Sequence, residues 1–259
     1  MSEQLTLTWS FRNRVDIFID SIRSADATCS KDINFCLVDA ASSEDTIRKL
    51  RTFCNSISDR KIRICESAYK TTWQEAINVG IMLSDTRYVL FTSSDCIFKN
   101  KGWGEIFLQA FSEGSQYVIV GNHALFGIDK KLISKIGWFD ERFQYGPLID
   151  VDYMIRASEA GVICKTLSNN GYYVHGDEMD VTFNMRRRKE SFPDRLPFNN
   201  FTDEKIFKEK WETSWPGEEE YVKRGEFPVH PPTNIRQVKR KLQEVDPHPF
   251  YTEKYRKLQ

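Results

Sequence analysis

Residues 88–103 read YVLFTSSDCIFKNKGW. The first half is an apolar run of β-branched and aromatic residues, the composition of a buried strand. The chain then turns polar at one carboxylate, Asp95, flanked by Ser93, Ser94 and Cys96. A strand that stops at a lone acid is either an ordinary polar turn or the place where a parallel sheet holds a ligand. The pattern on either side of this stretch bears on which.

Upstream, strands and helices alternate. Leu5 to Trp9 is predicted as a strand and Val15 to Ser24 as a helix, with Ile17, Phe18, Ser21 and Ile22 on one face. Ile33 to Val38 is a second strand, followed by a helix over Thr46 to Phe53 that Ser42 or Ser43 can cap. Lys61 to Cys65 is a third strand. Thr71 to Ser84 is a helix with Trp73, Ala76, Ile77, Gly80 and Ile81 at helical spacing, leading to a fourth strand at Arg87 to Thr92. Such alternation implies right-handed crossovers and a parallel sheet covered on both faces. No G-x-G-x-x-G or G-x-x-x-x-G-K-[ST] loop follows any strand, which removes most support from dinucleotide-dependent oxidoreductases and P-loop NTPases. A parallel sheet binds its ligand at the carboxyl ends of its strands. Those ends carry Ser10 to Arg14, Asp39, Glu66 and Ser67, and Ser93 to Asp95, so Asp39 and Asp95 converge on one edge.

Downstream the alternation loosens. Helices are expected at Trp103 to Phe111, at Lys130 to Ile136, and from about Ile149 to Val151 up to Gly161, a glycine suited to helix termination. Strands are expected at Tyr117 to Val120, Leu125 to Ile128, Val162 to Leu167 and Gly171 to Val174, the last ending at His175. A basic cluster, Arg186 to Lys189, a Pro-, Glu- and Lys-rich stretch and a charged helix around Ile235 to Val245 complete the chain. The 37 basic and 37 acidic residues cancel, so no global charge steers the protein toward nucleic acid or an anionic membrane. No apolar run reaches the ~20 residues of a membrane span, and MSEQLTLTW does not have the pattern of a signal peptide. Six scattered cysteines with no C-x-x-C pair argue against a zinc site and fit free thiols in a reducing compartment.

Several segments in this order resemble the GT-A glycosyltransferases, in particular the large inverting family of rhamnosyl-, galactofuranosyl- and glucosyltransferases. TLTWSFRNRVDIFIDSI (6–22) resembles that family's opening strand and helix, and its FRNR resembles a β-1,4-galactosyltransferase segment. INFCLVDAASSEDT (33–46) resembles the nucleoside-binding V-D-x-x-S-x-D. TTWQEAINVGIMLSDTRYVLFTSSDCIF (71–98) resembles the A-x-N-x-G segment that leads into the metal-binding D-x-D. GWFDERFQYGPLIDVDYMIRASEAG (137–161) resembles G-x-F-D-E-x-F…E-D-x-D-x-x-x-R…G, the most specific of the set. YYVHG (172–176) resembles the late V-x-H, and DEKIFKEKW (203–211) an N-x-x-x-F-x-x-K-W found in rhamnosyltransferase-like members.

The resemblance implies an α/β GT-A fold: a Rossmann-like, mostly parallel sheet flanked by helices. It implies a catalytic domain over 1–190, with a nucleotide-binding half (1–100) and an acceptor-binding half (101–190), followed by a C-terminal extension over 191–259. The implied activity is inverting transfer of a sugar from a UDP- or dTDP-sugar to a hydroxyl of a glycan or glycoconjugate. Carboxylates and a divalent cation, Mn²⁺ or Mg²⁺, would neutralise the leaving diphosphate, and a positioned base would take the acceptor's proton. By resemblance Asp95 and His175 bind the metal. Ser10, Arg12, Arg14, Asp39, Ser93, Ser94 and Asp95 contact the donor. Asp150 is the base, at a helix start whose dipole favours its ionised form, with Asp152 as the fallback. Arg186 to Lys189 are either a loop that closes over the diphosphate or a solvated charge run, and Trp73 and Trp138 are core or acceptor-groove aromatics. The implied setting is cytoplasmic, with peripheral membrane contact if the acceptor is lipid-linked.

Two positions depart from the family pattern. Ser93 stands where the first acid of the D-x-D is expected, which removes a charge from the metal site. Ile149 stands where an acid usually precedes the catalytic aspartate. Either the acceptor is recognised differently or the register is off, which is why Asp152 remains in view. The replaced acids also leave a second function class open, a non-catalytic GT-A-like module that binds a glycan or nucleotide.

Overall fold

The computed structural model describes residues 5–57, 59–67, 71–143, 148–175 and 200–211. The first half is β1 (Leu5–Phe11), α1 (Val15–Thr28), β2 (Asn34–Asp39), α2 (Glu44–Asn55), β3 (Ile62–Cys65), α3 (Trp73–Leu83) and β4 (Tyr88–Ser93). There follow β5 (Ile97–Phe98), α4 (Trp103–Ser112), β6 (Tyr117–Val120), β7 (Asn122–Asp129), α5 (Lys131–Ile136), α6 (Leu148–Glu159), β8 (Cys164–Leu167), β9 (Tyr173–Val174) and α7 (Asn200–Trp211). Seven strands form one sheet in the order β3-β2-β1-β4-β7-β6-β8, and β5 pairs with β9 in a small second sheet. β1, β2, β3 and β4 run parallel; β7 runs antiparallel to both β4 and β6, and β8 runs parallel to β6. This is the mostly parallel, helix-flanked sheet expected.

Alternation along the central strands divides the core. Trp9, Phe35, Leu37, Tyr88 and Leu90 pack with Phe18 and Ile22 of α1 and Phe107 of α4. Their neighbours in the strands point the other way: Val89 and Phe91 join Ile77 and Ile81 of α3, and Cys36 and Val38 join Ala76 and Val79. A sheet buried on both faces needs such continuous apolar runs. Ser43 caps α2 by accepting from the Thr46 amide, and Thr72 and Glu75 form a reciprocal capping box at α3. Gly80 lets α3 lie against β1, because a Cβ there would stand 2.4 Å from Thr8 Cγ2.

Boundaries shift where side chains outside the apolar pattern still pair or coil. β1 continues through Ser10 and Phe11, which pair with Val38 and Asp39. α1 runs on to Thr28, with Ala25 buried. β7 begins at Asn122, three residues before the expected strand, because its first turn of ladder is built from Asn, His and Ala. α3 is buried nearly all round: Gln74 and Asn78 are 0% exposed. Gln74 Nε2 donates to the Phe143 carbonyl, Asn78 Nδ2 donates to the Phe139 carbonyl (3.0 Å), and Asn78 Oδ1 accepts from the Phe139 amide (3.1 Å). Two buried amides on a helix thus hold the FDER turn in place.

α7, from the segment assigned to the extension, buries Phe207 and Trp211 in the second core. It also enters a buried charge network. Arg156, wholly buried, donates to Asp152 Oδ2 from Nε (3.0 Å) and Nη2 (2.8 Å), and from Nη1 to the carbonyls of Ile136 (2.7 Å) and Trp138 (2.9 Å). Lys210 Nζ bridges Asp152 Oδ1 (2.8 Å) and Asp140 Oδ2 (2.6 Å), and Trp211 Nε1 donates to Asp152 Oδ1 (3.0 Å). The expected helix at 235–245 and the cluster Arg186 to Lys189 lie outside the described residues. Among the described residues no helix is long and apolar enough to cross a membrane.

Removing one member of a buried pair strands its partner's charge, at about 3–5 kcal/mol. Asp152→Ala should therefore lower unfolding stability by about 3–5 kcal/mol in chemical denaturation. A loss under 1 kcal/mol would mean that the carbonyls of Ile136 and Trp138 satisfy Arg156 unaided.

Candidate active site

The register of the parallel strands assembles the site's first side. Ser10 pairs with Val38 on one flank and Ser93 on the other, and Phe11 pairs with Asp39. The ends of β1, β2 and β4 therefore stand abreast, with Ser10, Asp39 and Ser93 at one edge. The turn after β1 places Asn13 (φ 53°) and Arg14 (φ 49°) in the left-handed region, which asparagine tolerates and which strains an arginine by roughly 1–2 kcal/mol. The strained turn is tied to the loop after β2: the Asn13 amide donates to Ser42 Oγ (2.7 Å), and the Ser43 amide donates to Asn13 Oδ1 (3.0 Å). It also aims Arg14 across the sheet edge at Asp95. Arg14 Nη1 stands 3.7 Å from Asp95 Oδ2, and Nη2 donates to Ser94 Oγ (3.3 Å).

Asp95 is 1% exposed. Ser93 Oγ donates to its Oδ1 (2.6 Å), and His175 Nε2, arriving at the end of β9, is 3.4 Å from the same oxygen. The β5–β9 pairing brings His175 here from 80 residues away, since Ile97 pairs with Val174. Asp95, His175, Arg14, Ser93 and Ser94 thus form one cluster. Arg12 lies in the same turn as Arg14, partly buried. Asp39 sits beside the cluster with both oxygens accepting from the Ser42 amide (3.0 and 3.1 Å). Burial raises its pKa, against the hydrogen bonds from Ser42 that lower it. Of the other edge residues, Glu66 is engaged by Arg51, and Ser67 is buried.

Asp95 and His175 can hold a divalent cation. A separation of 3.4 Å between carboxylate oxygen and imidazole nitrogen is close to the spacing of neighbouring ligands around an octahedral ion, and a Mg²⁺-type site commonly takes one or two protein ligands and completes its shell with phosphate oxygens and water. Among the described residues no three His, Cys, Asp or Glu side chains converge on a metal position. Among the described residues, the donors that could face such a cation are Asp95 and His175.

The second side of the site is built on α6 and β7. Asp150 lies in the first turn of α6. Its Oδ2 is 3.7 Å from His123 Nδ1, while its Oδ1 is buried with no hydrogen-bond partner. Burial raises its pKa, and His123 opposes that rise. Asp152, two residues on, faces the opposite way into the charge network. Burial pushes its carboxyl up, but Arg156 and Lys210 outweigh that and hold it below the usual range. The sequence named Asp150, with Asp152 as the fallback; in the structure Asp152 is wholly engaged and Asp150 keeps one oxygen without a partner. Trp73 packs against Phe126 at 5.8 Å, and Trp138 lends its carbonyl to Arg156. His123 was not singled out in the sequence. Its signal was weak: one histidine in GNHALFG, just after the expected end of one strand and before the expected start of the next.

The family model "Glycosyl transferase family 2" matches residues 10–208. No curated protein sequence matches the chain. Among solved structures, a mannosyltransferase from Pyrobaculum calidifontis in complex with GDP-Man and Mn²⁺ superposes with TM-score 0.54 at 12% identity, covering 65% of this chain and 58% of that one. S. aureus TarS (residues 1–349) in complex with UDP-GlcNAc gives TM-score 0.55 at 13% identity, covering 82% of this chain and 73% of that one. Full TarS gives 0.56 at 12%, and the match spans 36% of its length. These likenesses establish a shared fold.

The raised pKa of Asp150 has a consequence for stability. A carboxyl that holds its proton more tightly when folded makes stability fall as pH rises from the ordinary value near 4 through its own folded value; above both the penalty is constant. Asp150→Asn removes the penalty. The variant should melt higher than the wild type at pH 7, and the difference should vanish below about pH 4. Equal melting points at pH 7 would show that Asp150 ionises without cost.

Proposed function

The chain belongs to glycosyl transferase family 2, and from that premise we propose that it is an inverting glycosyltransferase. It moves a sugar from a UDP- or dTDP-sugar to a hydroxyl of a glycan or glycoconjugate. The observation that carries the reading is one sheet edge furnished on both sides. A buried carboxylate with imidazole, guanidinium and hydroxyl partners stands at Asp95, and a partly buried carboxylate with one unpaired oxygen stands at Asp150. A binding module has no use for the second.

In this mechanism Asp39, fixed by Ser42, accepts a hydrogen bond from the nucleoside, and Ser10 and Arg12 line the same edge. Asp95 and His175 hold Mn²⁺ or Mg²⁺, which when bound neutralises charge on the diphosphate. Arg14, with Ser94, turns its guanidinium to the phosphate oxygens, a bidentate contact suited to Arg. Ser93 Oγ orients Asp95. Asp150 Oδ1 takes the proton from the acceptor hydroxyl as that oxygen bonds to the anomeric carbon. The bond from that carbon to the diphosphate oxygen breaks, and its electron pair leaves with the diphosphate. Attack from the face opposite the leaving group inverts the configuration. The domain division at 190, a cytoplasmic setting and contact with a membrane surface through a lipid-linked acceptor belong to the same proposal.

With Asp95 and His175 as the cation's protein donors, phosphate oxygens would complete its shell, so cation and nucleotide should bind together. UDP or dTDP with Mn²⁺ should raise the melting point, whereas Mn²⁺ alone or nucleotide with chelator should raise it much less. Asp95→Ala should abolish the joint effect. Asp150→Asn should keep it and lose about 10²–10⁴-fold in transfer rate, the usual worth of a general base. No shift with any nucleotide would sink the transferase reading. A shift with full activity in Asp150→Asn would remove Asp150 from its role.

A further inference from the structure

His123 reaches Asp150 through an irregularity in the sheet. β6 and β7 form a hairpin whose register slips between Ile119 and Val120: Ile119 pairs with Phe126, but Val120 pairs with Asn122. His123, Ala124 and Leu125 are thereby set off from β6. Bulges of this kind sit next to active sites and re-aim a side chain. The slip is made possible by Gly121 (φ 68°), where a Cβ would come within 3.1 Å of Asn169 Cβ and Tyr173 Oη. The ring is then held between aromatic neighbours, 6.1 Å from Phe126 and 6.3 Å from Tyr117. Around it are three buried polar atoms with no hydrogen-bond partner: His123 Nε2, Asp150 Oδ1 and Tyr117 Oη. Buried polar atoms are nearly always satisfied, and three in one place mark groups arranged for something other than stability.

We propose that His123 is the positioning residue of the base: its Nδ1–H holds Asp150 Oδ2, which turns Oδ1 toward the acceptor. This rests on the role of Asp150 given above. The 3.7 Å separation is longer than a hydrogen bond and closes when the acceptor arrives, as catalytic hydrogen bonds often tighten in the bound complex. Held in this way, the carboxylate is favoured in its ionised form. That offsets the burial that would otherwise keep it protonated. The titratable groups facing the pair are Tyr117 from β6 and, around Tyr117, Cys164 from β8 and Tyr153 from α6. None of these carries a positive charge, so among the described residues the ionising influence comes from His123.

The test is made on the unliganded protein. Aspartate carboxyl carbons are labelled with ¹³C, the Asp150 signal is identified by its loss in Asp150→Asn, and its titration midpoint is followed in two variants. His123→Phe keeps the ring and removes both nitrogens; His123→Asn keeps an N–H near the place of Nδ1. The midpoint should move to higher pH in His123→Phe and fall between that and the wild type in His123→Asn. Release of UDP from sugar nucleotides should show the same order, with about 10- to 100-fold loss in kcat for His123→Phe, partial recovery in His123→Asn, and unchanged nucleotide melting shifts in both. An unmoved midpoint in His123→Phe, or His123→Asn displaced as far as His123→Phe, overturns the proposal. If no sugar nucleotide turns over, the transferase reading fails, and the carboxyl titration still decides the pairing.

Discussion

The second half of this protein depends on one buried guanidinium. Arg156 is fully enclosed, and its donors are spent on Asp152 and on the carbonyls of Ile136 and Trp138. A charge in that position is tolerable when every partner is in place, so α6 has one seating relative to α5 and the turn that follows it. Lys210 and Trp211 close the same network from α7, and Lys210 adds Asp140. Asp150 and Asp152 stand two residues apart on α6, which points them to different faces. Whatever fixes Asp152 on one face of α6 therefore fixes Asp150 on another, beside His123. The position of Asp150 is set in part by electrostatics on the far side of its own helix.

The first half of the sheet is organised by register. Parallel pairing sets the ends of β1, β2 and β4 level, with Asp39 closing β2 and the turns after β1 and β4 supplying Arg14 and Asp95. This is why the sheet and its carboxyl edge were legible in the sequence. A parallel sheet leaves a periodic trace, and its ligand edge lies where each apolar run ends. His175 could be named from the V-x-H resemblance, but its meeting with Asp95 needed the β5–β9 pair, whose two-residue strands leave no periodic signal. The surroundings of Asp150 and Asp152 were illegible for a different reason. Spacing shows that two acids diverge, while the partners that hold Asp152, Arg156 and Lys210, come from residues 4 and 58 positions beyond it. His123 lay in a segment whose pairing slips, so no regular period could place it.

Departures from local preference gather at the site. Asn13 and Arg14 hold left-handed backbone without glycine, and β6 and β7 break register beside Asp150. The opposite edge of the sheet is conventional: Thr6, Ser84 and Thr86 share hydroxyl hydrogen bonds of 2.8–2.9 Å and are buried without strain. That hydroxyl group is satisfied within itself, whereas His123, Asp150 and Tyr117 each keep a buried polar atom without a partner. A sequence that is locally consistent except at its working edge is the pattern expected of a selected function.

The reversed strand β7 also matters before the protein is complete. Five of the six residues of β4 are buried, and until β7 arrives that strand is the open border of the sheet. A nascent chain that has emerged as far as Asp95 thus displays an apolar edge with unpaired amides and carbonyls, a template for pairing with another copy. The β6–β7 hairpin closes that border over Tyr88 to Thr92, and the same strand carries His123 to within 3.7 Å of Asp150. The segment that brings His123 to Asp150 is thus also the one that covers the open edge of β4.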